Sequence, residues 1–299
     1  MTNYNLCLAW NMEIDTDFVR ILQQVCESKG LSFLQIMPEN LQHMLRPLLR
    51  REIAFHLFVD RASDTDVRFI PFNQWAQARG AYCINPYDKA VATWDKAAMH
   101  HRLIAIGLHT PYTVILPPYN HHSELPWFDR AVLGKQFIIK PARGSGGDGV
   151  IIGATSLDQV QHARQAYPRE KYLLQEYIVP AYPDSRAAWF RVLYCTGKAY
   201  LNWWDMHTHW FTAVTEEEVR RYGLAPLYEI TDAIAHLCEL SMFSTEITLT
   251  SEGRFLVIDY VNDQIDFRLQ SKVFDGVPDG FVMDIAERLV SLAMQKNDP

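Results

Sequence analysis

The sequence predicts an α/β protein in two parts. An open parallel α/β unit comes first, followed by a larger α+β unit that ends in an antiparallel sheet. Three observations carry this. Short apolar strands alternate with helices over roughly residues 1–88; a glycine loop at 144–149 joins one apolar strand to another; and "FSTEITLTSEGRFLVIDYVND" (243–263) reads as a hairpin. Strand–helix alternation with short links is what a parallel sheet covered by helices requires.

In the first unit, "NLCLAW" (5–10) is a strand and "TDFVRILQQVCESKG" (16–30) a helix, with Phe18, Leu22, Val25 and Cys26 on one face and Gly30 as its stop. A second strand (31–36), a short helix interrupted at Pro47 (41–51), a third strand (53–60) and a fourth closed by Pro86 (80–86) follow. "DKAVATWDKAAMHHRLIAIG" (88–107) predicts one long helix ending at Gly107. Strands are expected next at 110–117, 135–142 and 149–155, then a helix with Ser156 as N-cap, then a strand at 172–179. Residues 187–205 form two strands around Thr196-Gly197. Leu227, Ile230, Ile234, Leu237 and Leu240 mark an amphipathic helix, and Asp279 caps a last one that buries Phe281, Ile285, Leu289 and Leu292.

Composition excludes several classes of function. Of the 299 residues, 48% are hydrophobic and 21% charged, the balance of a globular protein without disordered tracts. A net charge of −7, with no Lys/Arg run between the aromatics, speaks against nucleic acid. No apolar run approaches the ~18 residues that cross a bilayer, so no membrane partner is expected. The N-terminus lacks a basic stretch and reads as a first strand, not a signal peptide. Cys7, Cys26, Cys83, Cys195 and Cys238 are scattered and odd in number, which predicts reduced core thiols in a cytoplasmic protein. His121-His122 and His207-x-His209 lack a third ligand at zinc spacing.

Gly144-x-Gly146-x-x-Gly149 matches a dinucleotide fingerprint, but that loop must open a helix whose N-terminus receives the pyrophosphate. Here "GVIIGAT" (149–155), a strand, follows. Walker A fails for want of a Lys-Ser/Thr after the last glycine. A kinase lid carries its lysine on a strand after the loop, whereas Lys140 precedes this one. A strand bearing lysine, then Pro141, a glycine turn and another strand resembles the lid hairpin of the ATP-grasp superfamily, in its glutathione synthetase-like, carboxylate–amine ligase form. Three further segments extend the resemblance, in the family's order across 94–263. "WDKAAMHHRLIAIGLHTPYTVIL" (94–116) looks like its Asp-Lys helix, with Lys96 44 residues before Lys140; "LLQEYI" (173–178) is similar to its hinge strand, and "FLVIDYVND" (255–263) to its metal-binding strand.

The resemblance implies an N-terminal domain (1–93) ahead of an ATP-grasp domain (94–299), the latter split into a lid part (110–180) and a C-terminal catalytic part (181–299). It implies a cytoplasmic, ATP- and Mg²⁺-dependent ligase (Mn²⁺ being an alternative metal) that joins a small-molecule carboxylate to an amine or thiol through an acyl phosphate. The oligomeric state stays open, a homodimer included. Lys96 and Lys140 supply point charges for phosphate oxygens, with Lys89 the competitor of Lys96. Gly144, Ser145, Gly146, Gly147 and Gly149 fold backbone over phosphates. Gln175, Glu176, Tyr177 and Ile178 meet adenine, Asp184 the ribose, and Arg191 and Arg268 the transferring phosphoryl and acyl phosphate. Where several relatives carry an arginine after the 198–203 strand, this chain has "NWWDMHTHW", so Trp203, Trp204, His207 and His209 are candidates for an unusual acceptor pocket; 271–280 is a candidate loop over it.

The metal site has its own test in hairpin geometry. With Glu252-Gly253 as a two-residue turn, Ser251 pairs with Arg254 and Glu246 lies directly opposite Asp259. Opposed like charges destabilise an antiparallel pair unless a cation bridges them. The family's last strand carries Glu-x-Asn or Asp-x-Asn; this chain has Asp259-Tyr260-Val261-Asn262, so Asn262 points away unless a bulge returns it, and Asp263 is a substitute. A small-molecule kinase on the same fold and a catalytically silent nucleotide-binding protein are the alternatives.

Overall fold

The central strand of the first sheet is apolar without interruption. Leu6, Cys7, Leu8 and Ala9 are all fully buried, as a parallel strand covered on both faces must be. The structure, a computed structural model, describes residues 1–144 and 146–295. β1 (Thr2–Trp10), β2 (Phe33–Ile36), β3 (Ile53–Arg61) and β4 (Tyr82–Ile84) form a parallel sheet in the order β2-β1-β3-β4. Cys7 and Ala9 pack on α2 (Leu41–Leu49) and α3 (Ile70–Ala78); Leu6 and Leu8 face α1 (Thr16–Ser28). That second face is also covered from the far end of the chain, by Ile285 and Leu289.

Two helices lead out of the sheet, α4 (Tyr87–Thr93) and α5 (Lys96–Ala105), in place of the single helix expected over 88–107. The break has a local cause. Asp95 takes an extended conformation and its carboxylate accepts from the N–H groups of Ala97 and Ala98, so it starts a new helix inside an apolar-periodic stretch. Conversely, α2 runs through Pro47, which removes one intrahelical N–H, and ends two residues later.

The second sheet is antiparallel, in the order β5-β8-β6-β7: β5 (Thr113–Leu116), β6 (Phe137–Pro141), β7 (Ile151–Ala154) and β8 (Tyr172–Glu176). Between β7 and β8 lies α6 (Leu157–Ala166), opened by the expected cap, Ser156 with Gln159. The third sheet, also antiparallel, runs β11-β10-β9-β12-β13, with β9 (Trp189–Cys195), β10 (Lys198–Trp204), β11 (Phe211–Ala213), β12 (Met242–Leu249) and β13 (Phe255–Asn262). It carries α7 (Glu216–Tyr222) and α8 (Pro226–Cys238), and the chain then closes with α9 (Asp279–Gln295), the helix that returns to the first sheet. β11, α3 and α7 are not expected from the periodicity. For α7 the sequence does hold a signal, the capping box Thr215 with Glu218.

Two buried polar side chains tie the first sheet to the third. Asn85 accepts from the N–H groups of Ser241 and Met242, donates to the Met242 carbonyl, and donates to the Asp263 carbonyl at 3.3 Å. Arg61, at the end of β3, donates to Asp15 at 2.5 Å and to the Ile265 carbonyl at 2.8 Å, its guanidinium over the rings of Phe18 and Phe267. Its Nε and Nη1 have no partner among the described residues, so its charge rests on Asp15. Asp15→Ala is expected to cost about 3–5 kcal/mol in urea unfolding because it strands a buried cation; adding Arg61→Met should recover most of that loss.

Candidate active site

β6 is a strand because Phe137 and Ile139 bury into the second sheet's core. Lys140 therefore faces the other way. Its ammonium is buried, donates to the Ile258 carbonyl at 3.1 Å, and lies 5.1 Å from the Tyr260 ring centroid. Burial lowers its pKa to about 8, against the pull of Asp259 and Glu246 and with help from Lys96. Lys96, at the start of α5, docks on the lid twice: its N–H bonds the Ala142 carbonyl at 2.8 Å and its ammonium the Gly144 carbonyl at 2.8 Å. Lys89 instead pairs with Glu239 on the surface.

The glycine loop joins β6 to β7 as a hairpin, the connection its flanking strands predict. Gly146 and Gly147 hold φ of 61° and 78°, a region that other residues enter at a cost. At Gly149 a Cβ would stand 2.9 Å from the Tyr167 ring. That ring is fixed in turn by its hydroxyl on Asp148 at 2.8 Å. Ser145 lies outside the described residues.

The pairing of Glu246 with Asp259 is found, by a different route from the one expected. Leu249 pairs with Phe255 and Thr250 N–H bonds the Arg254 carbonyl, so the turn is one residue longer than a two-residue hairpin, with Gly253 at φ 77°. Ile247 pairs with Val257 and Glu246 with Asp259, which leaves Ile258 as an extra residue. A second irregularity lies between Asp259 and Asn262, the latter paired with Ser244. Two bulges thus flank Asp259. The first frees the Ile258 carbonyl for Lys140. The second returns Asn262, whose amide donates to Asp259 at 2.8 Å. Asp263 is buried elsewhere, accepting from Trp94 Nε1 at 3.1 Å, with its carboxyl pushed up to about 6 by burial.

The two carboxylates differ in charge environment. Burial pushes Glu246 up, partly offset by Arg191 at 2.7 Å, and Trp189 Nε1 also donates to it at 3.2 Å. Burial acts on Asp259 too, but Lys96 and Lys140 overcome it and hold that carboxyl below its usual range. Among the described residues no group of three or more His, Cys, Asp and Glu forms a metal cage. Two carboxylates with one amide are the hard oxygen set that a magnesium ion shares with phosphate oxygens, and the residues present fit that ion.

One cavity of about 500 Å³ collects most of the candidates: Lys96, Lys140, Gly144, Gly146 and Gly147; Gln175, Glu176, Tyr177 and Ile178; Arg191, Glu246, Asp259, Asn262 and Arg268. Several expectations need correction. Gln175 does not offer its side chain to a ligand; its amide is buried, donating to Tyr260 and Thr113 hydroxyls at 2.9 Å each. Glu176 caps the Tyr112 N–H at 2.8 Å. Asp184 stands outside the cavity, paired with Arg221 at 2.7 Å and Tyr222 at 2.5 Å on the unforeseen α7. Trp204 and His209 line the cavity; Trp203 is buried in a separate core, and His207 is exposed outside it. Within 271–280, Asp275 reaches the cavity. Sequence reasoning missed the network under the cavity, where the Tyr260 hydroxyl meets His100 Nδ1 at 2.8 Å and Gln175 at 2.9 Å; burial lowers His100 to about 4.

A buried lysine beside two carboxylates, under a glycine hairpin, on a parallel sheet followed by two antiparallel ones: this arrangement is that of the ATP-grasp fold, and the chain has that fold. No family model matches the sequence, and no curated protein does. Solved structures do. A D-alanine–D-alanine ligase from Bacillus anthracis complexed with ATP is 10% identical, with 100% of this chain and 99% of that chain covered and a TM-score of 0.69. A RimK domain ATP-grasp protein from Sphaerobacter thermophilus is 16% identical over 96% and 98%, with a TM-score of 0.65. The ATP-grasp ligase PsnB, complexed with a minimal precursor, Mg and ADP, is 11% identical over 100% of both, also at 0.65. No helix among the described residues is long and apolar enough to cross a membrane.

Lys140 gives a pH signature. The folded, ligand-free chain releases its proton at about 8, whereas the ordinary value is 10.5. Between these values the unfolded chain holds more protons, so stability rises with pH through that window. A bound phosphate chain raises the lysine's pKa again, so ATP binding at pH 8.5 should take up protons, read as a dependence of the calorimetric enthalpy on buffer ionisation. Lys140→Met should abolish the uptake, weaken ATP binding at least about tenfold, and stabilise the ligand-free protein by about 1–3 kcal/mol.

Proposed function

We propose that the chain is an ATP- and Mg²⁺-dependent ligase that joins a carboxylate to an amine through an acyl phosphate, with release of ADP and phosphate. The observation that carries this is the convergence of Lys96, Lys140, the glycine hairpin and the Glu246–Asp259 pair on one cavity. Neighbours of the same fold are ligases, one complexed with ATP and another with Mg and ADP.

The roles follow from the geometry. Lys140 exchanges the Ile258 carbonyl for phosphate oxygens, and Lys96 exchanges the Gly144 carbonyl; the loop's N–H groups close from above. Tyr177 and Ile178, past the end of β8, face the base with backbone. Glu246, Asp259 and Asn262 would hold the magnesium ion, which would supply positive charge to the phosphates. Arg191, held by Glu246 and lining the cavity, is assigned to the transferring phosphoryl group and the acyl phosphate. A carboxylate oxygen bonds the γ-phosphorus as its bond to the bridging oxygen breaks, giving ADP and the acyl phosphate. The amine lone pair then attacks the acyl carbon, phosphate leaves, and the nitrogen's proton passes to solvent.

A kinase for an anionic substrate is disfavoured by one observation: Arg268, the cavity arginine not assigned to the phosphoryl group, is paired with two carboxylates, Asp266 and Asp275. The test is incubation with ATP, Mg²⁺ and pooled carboxylates and amines, with ADP, phosphate and product mass measured. One ADP and one phosphate per condensed product are expected, and Asp259→Asn should lower kcat at least about 100-fold. A phosphorylated product without free phosphate, or no ADP from any pool, would overturn the ligase reading.

A further inference from the structure

The cavity extends past the residues to which the proposed function assigns the nucleotide. Arg191 marks the divide: on one side it pairs with Glu246, on the other its guanidinium stands 5.2 Å over the Trp204 ring. Beyond it the walls are apolar and buried, with Leu193, Trp204, Phe211 and Ile265. The polar edge is Arg268 between Asp266 at 2.6 Å and Asp275 at 2.8 Å. One guanidinium faces two carboxylates, so this edge carries one negative charge in excess. The cavity's other cations are engaged elsewhere, on the glycine loop, Ile258 and Glu246. The 269–277 segment is held tightly enough to fix that charge in place. Val277 N–H bonds the Arg268 carbonyl at 2.8 Å, and a Cβ on Gly276 would stand 2.5 Å from the Leu269 backbone.

The opposite wall is strained. His209 sits at φ 61°, a conformation that costs a non-glycine residue of order 1 kcal/mol or more. The 205–210 turn imposes it: the Asp205 carboxylate accepts from His207 and Thr208 N–H, and its carbonyl from His209 N–H at 2.7 Å. The outcome is an imidazole laid flat on Trp204, 5.1 Å between centroids and 6° between planes. Both rings line the cavity. Strain kept at a residue that stacks on a cavity wall is an observation from which a role for that wall is inferred.

We propose that this half of the cavity binds an arylalkyl amine, its ammonium at Asp266 and Asp275 and its ring against Trp204 and His209. Resting on the ligase reading above, this amine is the acceptor of the condensation: its ammonium passes one proton to Asp266 or Asp275, and the freed lone pair attacks the acyl carbon as phosphate leaves. The aromatic wall selects a flat apolar body, and the excess carboxylate selects its positive charge over an anion.

Calorimetric titration of the full chain, with ADP and Mg²⁺ present, compares three probes: 2-phenylethylamine, putrescine (charge without a ring) and 3-phenylpropionate (a ring with the opposite charge). The first should bind at least about tenfold more tightly than either of the others. Equal or tighter binding of 3-phenylpropionate overturns the charge assignment, and equal binding of putrescine overturns the aromatic one. His209→Gly separates site from scaffold. Glycine adopts φ 61° freely, so thermal stability should hold or rise, while affinity for 2-phenylethylamine falls by roughly fivefold; unchanged affinity overturns the proposal. Binding is read apart from turnover. If 2-phenylethylamine binds but no amide forms, the ligase reading fails and the subsite stands; if amides form only with other amines, the reverse holds.

Discussion

The ammonium of Lys140 on the carbonyl of Ile258 is the contact on which the site depends. It runs from the second sheet to the third and joins two elements 118 residues apart in sequence. At that point β13, the edge strand of its sheet, carries an extra residue, Ile258, with no partner on β12. A buried cation with one neutral partner is costly. The cost is tolerated because Asp259 and Glu246 face it, and because the Tyr260 ring lies beneath it. Such a lysine is held in readiness for a better partner, and a phosphate chain is one.

The same strand organises the rest. Tyr260 turns its hydroxyl to His100 on α5 and Gln175 on β8, so the helix that starts with Lys96, the strand that leads to the hinge and the carboxylate strand meet at one oxygen. Asp259 is kept ionised by the two lysines, while Glu246 depends on Arg191. Arg191 in turn stacks on Trp204, the first ring of the acceptor half. The lysines proposed for phosphate, the carboxylate pair and the aromatic wall therefore lie along one line of contacts across the cavity.

Much of this was legible in the sequence where residue type and local order decide. Lys140 before a glycine turn, with a strand after it, excluded a helix-capping loop; the hairpin numbering named the Glu246–Asp259 pair, but through a two-residue turn that is absent, a longer turn and a bulge at Ile258 offsetting each other. The rest depended on long-range packing. Of the two bulges in β13, the one between Asp259 and Asn262 is hinted at by the Asp-x-x-Asn spacing, whereas the one at Ile258 lies in the apolar run Phe255–Ile258 and leaves no mark there. The helix break at Asp95 turned on a cap competing with continuous apolar periodicity. Asp184 was drawn away by Arg221 and Tyr222, and Gln175 by a hydroxyl 85 residues later. Side chains whose partners are distant in sequence cannot be oriented from sequence spacing.

The bulged carboxylate strand should bind a divalent ion only together with phosphates, since two carboxylates and an amide leave most of an octahedral shell open. Titration of Mn²⁺ followed by electron paramagnetic resonance, with and without ATP, measures this directly. Weak Mn²⁺ binding to the protein alone, a sharp increase with ATP, and loss of that increase in the Glu246→Gln/Asp259→Asn double variant are expected. Tight Mn²⁺ binding without nucleotide, or a ternary signal that survives in the double variant, would contradict the assignment of these residues.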